Sequence, residues 1–305
     1  MKAKEKIVVI LGPTATGKSY CGVELAKLTG GEIISGDSML VYKDMNIATA
    51  KPSTEELAQV PHHLINILSP EASFNVVDFQ KQAGALITDI ISRGKLPIIV
   101  GGTGLYLKAL LESYDFAQTE AQHKLRKELE EFAVKYGNEQ LHKRLAQLDA
   151  AAATRLEVND TRRVIRAIEV AQQGEQVSQS RSQELAYDAI VFGLTMEREK
   201  LYERINKRVD LMVEQGIFQE TKKFLDSGLS PEAQSMRSIG YRQIVQYYQG
   251  EYTREEAILK LKQATRNFAK RQITWYKQMP YIKWFHLETG VDYDRIVKSM
   301  YGYLN

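Results

Sequence analysis

One segment near the N-terminus has the residue types and the spacing of a phosphate-binding loop. It fits the pattern G-x-x-x-x-G-K-[ST] at every fixed position and consists of Gly12, Pro13, Thr14, Ala15, Thr16, Gly17, Lys18 and Ser19. In such a loop, backbone N–H groups and the start of the following helix face the phosphate oxygens. Lys18 contributes a positive charge, and the hydroxyl of Ser19 can ligate Mg²⁺. The segment therefore predicts a site for a diphosphate or a longer phosphate chain.

Two more polar groups follow short apolar runs farther along the chain. Asp37 lies in Ser-Gly-Asp-Ser after residues 32–35, and Thr103 lies in Gly-Gly-Thr-Gly after residues 97–100. Taken singly, Asp37 could be a turn or helix-capping residue, and Thr103 could bond the backbone of a glycine turn. If the runs are parallel strands, however, both residues lie at the edge of the sheet where ligands bind. A carboxylate at such a phosphate site suits a metal ligand or a general base.

The pattern of apolar residues predicts the elements that position these groups. Runs rich in β-branched residues alternate with helical patterns, as in an α/β protein with a P-loop NTPase-like, doubly wound parallel sheet. Helices are predicted at residues 18–28, 79–91, 199–216, 217–228 and 253–277. Strands are predicted at residues 7–11, 32–35, 64–68, 97–100, 189–196 and 281–286.

The middle of the chain differs from both ends. Residues 122–148 and 161–173 are polar, charged and helical in pattern, and no strand pattern lies between them. We therefore predict a helical insertion domain at residues 115–187. It interrupts a catalytic core that is formed by residues 1–114 and 188–305 and includes C-terminal helices.

Composition excludes several classes of protein. The 305-residue chain has a net charge of +3 and a single cysteine, Cys21, so it can form neither an intramolecular disulfide nor a cysteine-based zinc site. Cys21 falls in the helix after the loop and is predicted to be a small core residue. No apolar run approaches the length of a membrane span, and the N-terminal run is too short for a signal peptide. These features predict a cytoplasmic protein that does not enter a membrane.

The C-terminal part of the chain carries charge of one sign. No Asp or Glu occurs between residues 257 and 287. The basic residues of this stretch are Lys260, Lys262, Arg266, Lys270, Arg271, Lys277 and Lys283. Basic side chains near aromatic ones suit phosphate contact and base stacking in RNA. For the aromatic residues among them (Phe268, Trp275 and Tyr276) a place in the core is the preferred interpretation.

Six short motifs occur in order along the chain and resemble those of one family. Besides residues 12–19 they are Ser-Gly-Asp-Ser-Met-Leu-Val-Tyr-Lys at 35–43, Ala-Thr-Ala-Lys-Pro at 48–52, Gly-Gly-Thr-Gly-Leu-Tyr at 101–106, Asn-Asp-Thr-Arg-Arg-Val-Ile-Arg at 159–166 and Ser-Met-Arg-Ser-Ile-Gly-Tyr-Arg-Gln at 235–243. This set resembles the bacterial tRNA dimethylallyltransferases, or tRNA isopentenyltransferases, over nearly the whole chain. Two departures, Ala48 in place of a frequent Gly and Arg162 in place of a frequent Gln, affect no proposed chemical role.

The resemblance implies a reaction and roles for the residues that could carry it. The family transfers a dimethylallyl group from dimethylallyl diphosphate to N6 of adenine 37, next to the tRNA anticodon, and its loop holds this diphosphate instead of hydrolysing ATP. By resemblance, Lys18 and the loop amides bind the diphosphate together with Ser19 and Mg²⁺. Asp37 is then the general base on the adenine amino group, Thr103 contacts the target nucleotide, and Arg208 reaches the diphosphate.

The resemblance also implies a surface that binds the anticodon stem-loop of tRNA. Its predicted members are Asp37, Ser38, Met39, Leu40, Thr103, Lys124, Arg126, Arg162, Arg163, Arg166, Arg237, Gly240, Tyr241 and Arg242. Which of Lys124 and Arg126 contacts RNA stays open. The protein is expected to be a monomer.

Three other functions compete with this hypothesis. A small-molecule kinase would share the loop, but it would normally need an acidic residue after a hydrophobic strand, and the run at 98–100 ends in Gly-Gly-Thr. Prenylation of free adenine nucleotides would need neither the helical insertion nor the basic C-terminal surface. A protein that only binds RNA would leave the intact phosphate-binding loop unexplained.

Overall fold

The structure is a computed structural model that describes residues 4–112, 114, 123–174, 184–288 and 290–304. These residues form the strands β1 (Lys6–Leu11), β2 (Glu32–Ser35), β3 (His62–His63), β4 (Pro97–Gly101), β5 (Asp188–Met196) and β6 (Ile282–Leu287). All of them pair in parallel in one sheet with the order β3-β2-β4-β1-β5-β6. The predicted α/β class with a parallel, P-loop-like sheet is confirmed.

Helices connect the strands. They are α1 (Lys18–Thr29), α2 (Thr54–Leu57), α3 (Val76–Ser92), α4 (Gly104–Leu111), α5 (His123–Tyr136), α6 (Asn138–Leu148), α7 (Ala150–Arg155), α8 (Thr161–Gln172), α9 (Arg198–Glu214), α10 (Ile217–Asp226), α11 (Tyr241–Tyr248), α12 (Arg254–Tyr276) and α13 (Tyr293–Gly302). The predicted helices at 18–28, 79–91 and 253–277 correspond to α1, α3 and α12 within a few residues.

The hydrophobic core lies on both faces of the sheet. In β1, Ile7, Val9 and Leu11 belong to one buried cluster, and Val8 and Ile10 belong to the cluster on the opposite face. This alternation explains why the run is continuously apolar, because each face of a covered parallel strand needs apolar side chains. Cys21 is fully buried in the second cluster, which confirms its predicted place in the core. No helix among the described residues is long and apolar enough to cross a membrane.

The chain divides into two compact units. The first combines Met1–Glu112 with Glu184–Asn305 and contains the whole sheet, and the second is Ser113–Gln183 and contains α5 to α8. The second unit has a core of its own in which the fully buried leucines Leu129, Leu141 and Leu145 pack with residues of α7 and α8.

Two predicted elements are wrong in detail. The strand predicted at residues 64–68 is absent, because Leu64 and Asn66 have positive φ angles of 60° and 56°. The strand in this region is His62–His63, and Leu68 forms only an isolated parallel bridge with Tyr42. The helical pattern at 122–148 is two helices, since Gly137, with φ 86°, separates α5 from α6. The buried helix α4 was not predicted, because it is apolar on nearly every side and shows no helical periodicity.

Candidate active site

The phosphate-binding loop connects β1 to α1 at the carboxyl edge of the sheet. The Thr16 hydroxyl and the Lys18 ammonium group both donate hydrogen bonds to the Pro13 carbonyl at 2.8 Å, and they hold the loop in a tight arch. Because the first N–H groups of a helix lack intrahelical acceptors, the start of α1 presents donors to an anion. The geometry is that of an anion site.

Two side chains of α12 form hydrogen bonds that connect this loop to the end of β4. The Gln272 amide accepts from Thr14 N at 3.0 Å and donates to Gly102 O at 2.8 Å. The buried Tyr276 hydroxyl lies 3.1 Å from Gly12 O and 2.9 Å from Gly102 O. The sequence did not indicate either role. The bond to Gln272 occupies the backbone amide of Thr14, one of the residues of the predicted phosphate-binding loop.

Asp37 and Thr103 lie side by side after β2 and β4. The hydroxyl of Thr103 accepts a hydrogen bond from Ser38 N at 3.1 Å, and the Asp37 Oδ1 atom accepts one from Met39 N at 2.7 Å. The two strand ends approach so closely that a side chain at Gly101 would collide with the backbone of Gly36. The predicted convergence of Asp37 and Thr103 at the carboxyl edge of the sheet is therefore observed.

Three charged groups of the site influence one another. The pKa of Lys18 is lowered from 10.5 to about 7, mainly by burial and in smaller part by the neighbouring Arg208, while Asp37 opposes the change. Burial also lowers the pKa of Arg208, again opposed by Asp37. Two partly desolvated cations beside the loop gain most from an anion, since bringing a diphosphate to them restores favourable charge pairing.

Two chambers meet at Arg208. The first has a volume of about 680 Å³ and is lined by the loop residues Lys18 and Ser19 and by the basic residues of α9. The second has a volume of about 400 Å³ and is lined by residues that include Asp37. The chambers share three lining residues, which are Ala50, Arg208 and Met212. A molecule bound at the loop can thus meet a second molecule at this junction.

The far wall of the second chamber is basic. Arg237, Arg242 and Arg271 are exposed and line it, and the half-buried ring of Phe268 lies among them. Ser38 and Met39 line the same chamber, and Leu40 follows them as a half-buried residue. Basic groups around an aromatic face suit a nucleotide whose base enters the chamber.

Two predicted tRNA contacts in this region need correction. Tyr241 is fully buried, and Gly240 is buried as well. The Tyr241 hydroxyl donates to Glu220 inside the protein. The buried ring of Tyr241 is not available for the predicted contact with tRNA, and Gly240 is covered as well, whereas Arg237 and Arg242 of the same motif are exposed.

The second unit carries the other basic residues that were predicted to contact tRNA. Lys124, Arg162 and Arg163 are exposed, and Arg163 forms an ion pair with Asp160 at 3.1 Å. Arg126 differs, because its guanidinium donates two hydrogen bonds, at 2.6 and 2.9 Å, to the fully buried Glu169.

Arg166 donates to the same Glu169 carboxylate at 3.2 Å. Glu169 therefore gives Arg126 and Arg166 structural partners within the unit. Of the pair left open in the sequence, Lys124 is the exposed residue.

The donor set at the loop suits Mg²⁺ only when a diphosphate is present. Ser19 is exposed and lines the first chamber, so its hydroxyl can reach a cation beside the phosphates. Within the described part of the chain, no three His, Cys, Asp or Glu residues are arranged to hold a metal ion by themselves. Mg²⁺ usually takes one or two protein ligands and completes its shell with phosphate oxygens and water.

Sequence reasoning found Arg208 only through the resemblance, and it missed the rest of the α9 face. Arg204, Lys207, Arg208 and Leu211 all line the first chamber. Their spacing of three, four and seven residues marks one face of a helix, and the three basic residues at that spacing are the signal in the sequence that indicates this face.

Comparisons with known proteins agree with this geometry. The model of the family described as IPP transferase matches residues 40–279. The tRNA dimethylallyltransferases of Alkaliphilus metalliredigens and Halalkalibacterium halodurans are 44% and 46% identical over 99% of this chain and cover 99% and 97% of their own lengths. The solved tRNA isopentenylpyrophosphate transferase of Bacillus halodurans is 45% identical, with a TM-score of 0.75 over 99% of this chain and 96% of its own.

A more distant structure shares the fold even more closely. A eukaryotic dimethylallyltransferase acting on tRNA is 28% identical and has a TM-score of 0.81 over 98% of this chain and 79% of its own. The similarity to these solved structures therefore extends over nearly the whole chain, including the residues that line both chambers.

Proposed function

The chain belongs to the IPP transferase family, and on that premise we propose that it transfers the dimethylallyl group of dimethylallyl diphosphate to N6 of adenine 37 in tRNA. It is a tRNA-modifying prenyltransferase, like the tRNA dimethylallyltransferases to which it is 44% and 46% identical. The observation that carries the specific proposal is the junction of the two chambers at Arg208. One chamber suits a diphosphate, the other a base, and the new bond forms between them.

The first chamber is proposed to bind the donor. Lys18, the amides at the start of α1 and the α9 residues Arg204, Lys207 and Arg208 surround the diphosphate, and Ile47 and Met212 provide apolar surface nearby. As the allylic carbon–oxygen bond breaks, negative charge grows on the diphosphate. Positive groups that are already in place stabilise that charge at no cost of reorganisation.

The second chamber is proposed to bind the flipped adenine. The exocyclic amine is a weak nucleophile because its lone pair is conjugated with the ring, so removing its proton as the new bond forms assists the reaction. One Asp37 oxygen is fixed by Met39 N at 2.7 Å, and the other, Oδ2, is the proposed acceptor of that proton. Thr103, which is fixed against Ser38, is proposed to contact the same nucleotide.

The adenine must leave the anticodon stack to reach the chamber, as in other enzymes that modify bases. Arg237, Arg242 and Arg271 are proposed to bind the neighbouring phosphates, and Lys124, Arg162 and Arg163 of the second unit are proposed to bind tRNA elsewhere. Filling both chambers would also exclude water, which would otherwise compete with the amine for the dimethylallyl group.

Mg²⁺ is proposed as the cofactor, held by Ser19 and by the diphosphate oxygens. When bound, it would supply positive charge to the leaving diphosphate. We also propose that the protein is cytoplasmic. We propose that it acts as a monomer, since one molecule contains both chambers.

The decisive experiment is incubation of the protein with labelled dimethylallyl diphosphate, Mg²⁺ and unmodified tRNA. Label should enter tRNA at adenine 37 and diphosphate should be released in equal amount. AMP in place of tRNA tests prenylation of free nucleotides, and ATP in place of the prenyl donor tests phosphoryl transfer. Label in AMP but not in tRNA, or transfer of phosphate from ATP to a small acceptor, would refute the proposal.

A further inference from the structure

Residues 46–50, here named the wall loop, contribute to both chambers. Asn46, Ile47 and Ala50 line the first, and Ala48, Thr49 and Ala50 line the second. Two internal turns shape the loop, with Ala50 N bonded to Ile47 O and Lys51 N bonded to Asn46 O, both at 3.0 Å. These local bonds fix its shape, but its place relative to the chambers must come from outside the loop.

A single carboxylate fixes the first half of the wall loop. The Glu220 carboxylate, on α10, accepts a hydrogen bond from Asn46 N at 2.9 Å. It also accepts one from Ile47 N, which lies 3.0 Å from both carboxylate oxygens. Hydrogen bonds to an ionised carboxylate are shorter and stronger than neutral ones. The backbone of the loop therefore follows Glu220, although more than 170 residues separate them along the chain.

The buried motif residues support this carboxylate from behind. The Tyr241 hydroxyl donates to Glu220 Oε1 at 2.5 Å, and burial together with the Glu220 charge raises the pKa of Tyr241. Gly240 packs directly beneath the loop, since a Cβ atom there would lie 2.6 Å from the Ala48 Cβ atom. The segment that carries Arg237 and Arg242 on its outer side thus holds the wall loop on its inner side.

The second half of the loop has a separate attachment. The Lys51 ammonium group donates to Tyr42 O and to Asn66 Oδ1, both at 2.5 Å. With the end at Lys51 tied in this way, loss of the Glu220 bonds would free residues 46–48 without releasing the whole segment. The effect of a change at Glu220 should therefore be local to the chambers.

We propose that Glu220 is a positioning residue for prenyl transfer, which sets the width of the junction between the two chambers by fixing the wall loop. The inference rests on the proposed function, because the junction matters only if donor and base meet there. Glu220 is absent from the described lining of both chambers, so it acts through the loop and not by touching a substrate.

The test compares the steady-state kinetics of the wild type, Glu220→Gln and Tyr241→Phe with dimethylallyl diphosphate and tRNA. Glu220→Gln keeps the size of the side chain but removes its charge and turns an NH₂ group toward the loop amides. We expect the KM for the donor to rise about tenfold, the effect of losing one charge-assisted hydrogen bond. Tyr241→Phe, which removes only the supporting bond and leaves the bonds from Glu220 to the loop in place, should raise it less, by about threefold.

Asp226→Asn is the matched control, because Asp226 lies on the same helix and pairs only at the surface with Lys222. Thermal unfolding of each variant separates folding from positioning, since a purely structural role would lower the Tm and the active fraction but leave the donor KM unchanged. A donor KM within about twofold of wild type in folded Glu220→Gln would overturn the inference. If that variant does not fold, an unchanged donor KM in Tyr241→Phe does so instead. Failure of the wild type itself to modify tRNA is a different outcome, because it would refute the proposed function on which the inference rests.

Discussion

Binding of the prenyl diphosphate should depend on pH through Lys18. Burial lowers the pKa of this side chain to about 7, so that near neutral pH the free enzyme is a mixture of charged and neutral forms. A diphosphate favours the charged form. Above this pKa the enzyme must therefore take up a proton when it binds the donor, and part of the binding free energy is spent on that protonation.

The magnitude follows from the fraction of charged Lys18. One pH unit above the pKa, about one-tenth of the free enzyme carries the charge, so the Kd for the donor at pH 8 should be about tenfold higher than at pH 6. At pH 7 the increase should be about twofold. The same group raises the free energy of unfolding as pH increases from 7 toward 10.5, because there the unfolded chain keeps a proton that folded Lys18 has lost.

Isothermal titration calorimetry at several pH values measures this effect directly. Repeating each titration in buffers with different ionisation enthalpies counts the protons taken up, and we expect close to one at pH 8. Lys18→Arg is the control, because arginine stays protonated throughout this range. Ionisation of the donor itself affects both proteins equally. Parallel Kd profiles for wild type and Lys18→Arg, or no proton uptake at pH 8, would refute the reasoning.

Four further outcomes are expected. Asp37→Asn should lower kcat by about 10² to 10⁴ with donor affinity at pH 6 nearly unchanged, and an unaltered kcat would remove Asp37 as the base. Arg163→Ala should raise the KM for tRNA and reduce the slope of log Kd against log salt concentration by about one unit. Arg126→Ala should instead destabilise the second unit by about 3 kcal/mol, measured by urea unfolding, because it leaves buried Glu169 short of a partner. Met212→Ala should raise kcat/KM for geranyl diphosphate relative to dimethylallyl diphosphate about tenfold, and an unchanged ratio would place the prenyl chain away from the junction.

The convergence of residues 12–19, Asp37 and Thr103 could be predicted from sequence because it follows from strand direction alone. Each group comes directly after an apolar run, and parallel strands end at one edge, so no knowledge of the strand order was needed. The strand order itself could not be predicted, since nothing in the runs at 7–11 and 97–100 specifies which neighbours pair.

The opposite wall of the site could not be predicted for a different reason. It depends on contacts between segments that are distant along the chain, such as Gln272 with Thr14 and Glu220 with Ile47. The sequence of the motif at 235–243 also does not show which of its side chains are exposed to solvent. Arg242 is exposed, whereas the adjacent Tyr241 is buried. A motif shows that residues belong together, but only packing decides which of them face a ligand.

The point at which the chain leaves and re-enters the sheet-containing unit has an evolutionary consequence. Ala186 N donates to Leu111 O at 2.8 Å, so the two ends of the long excursion between them are joined by one backbone hydrogen bond. Because the cost of closing a loop grows only slowly with its length, the host unit tolerates insertions of very different sizes at this place. Changes in the length or number of the inserted helices should therefore leave the arrangement of Lys18 and Asp37 at the edge of the sheet unaltered.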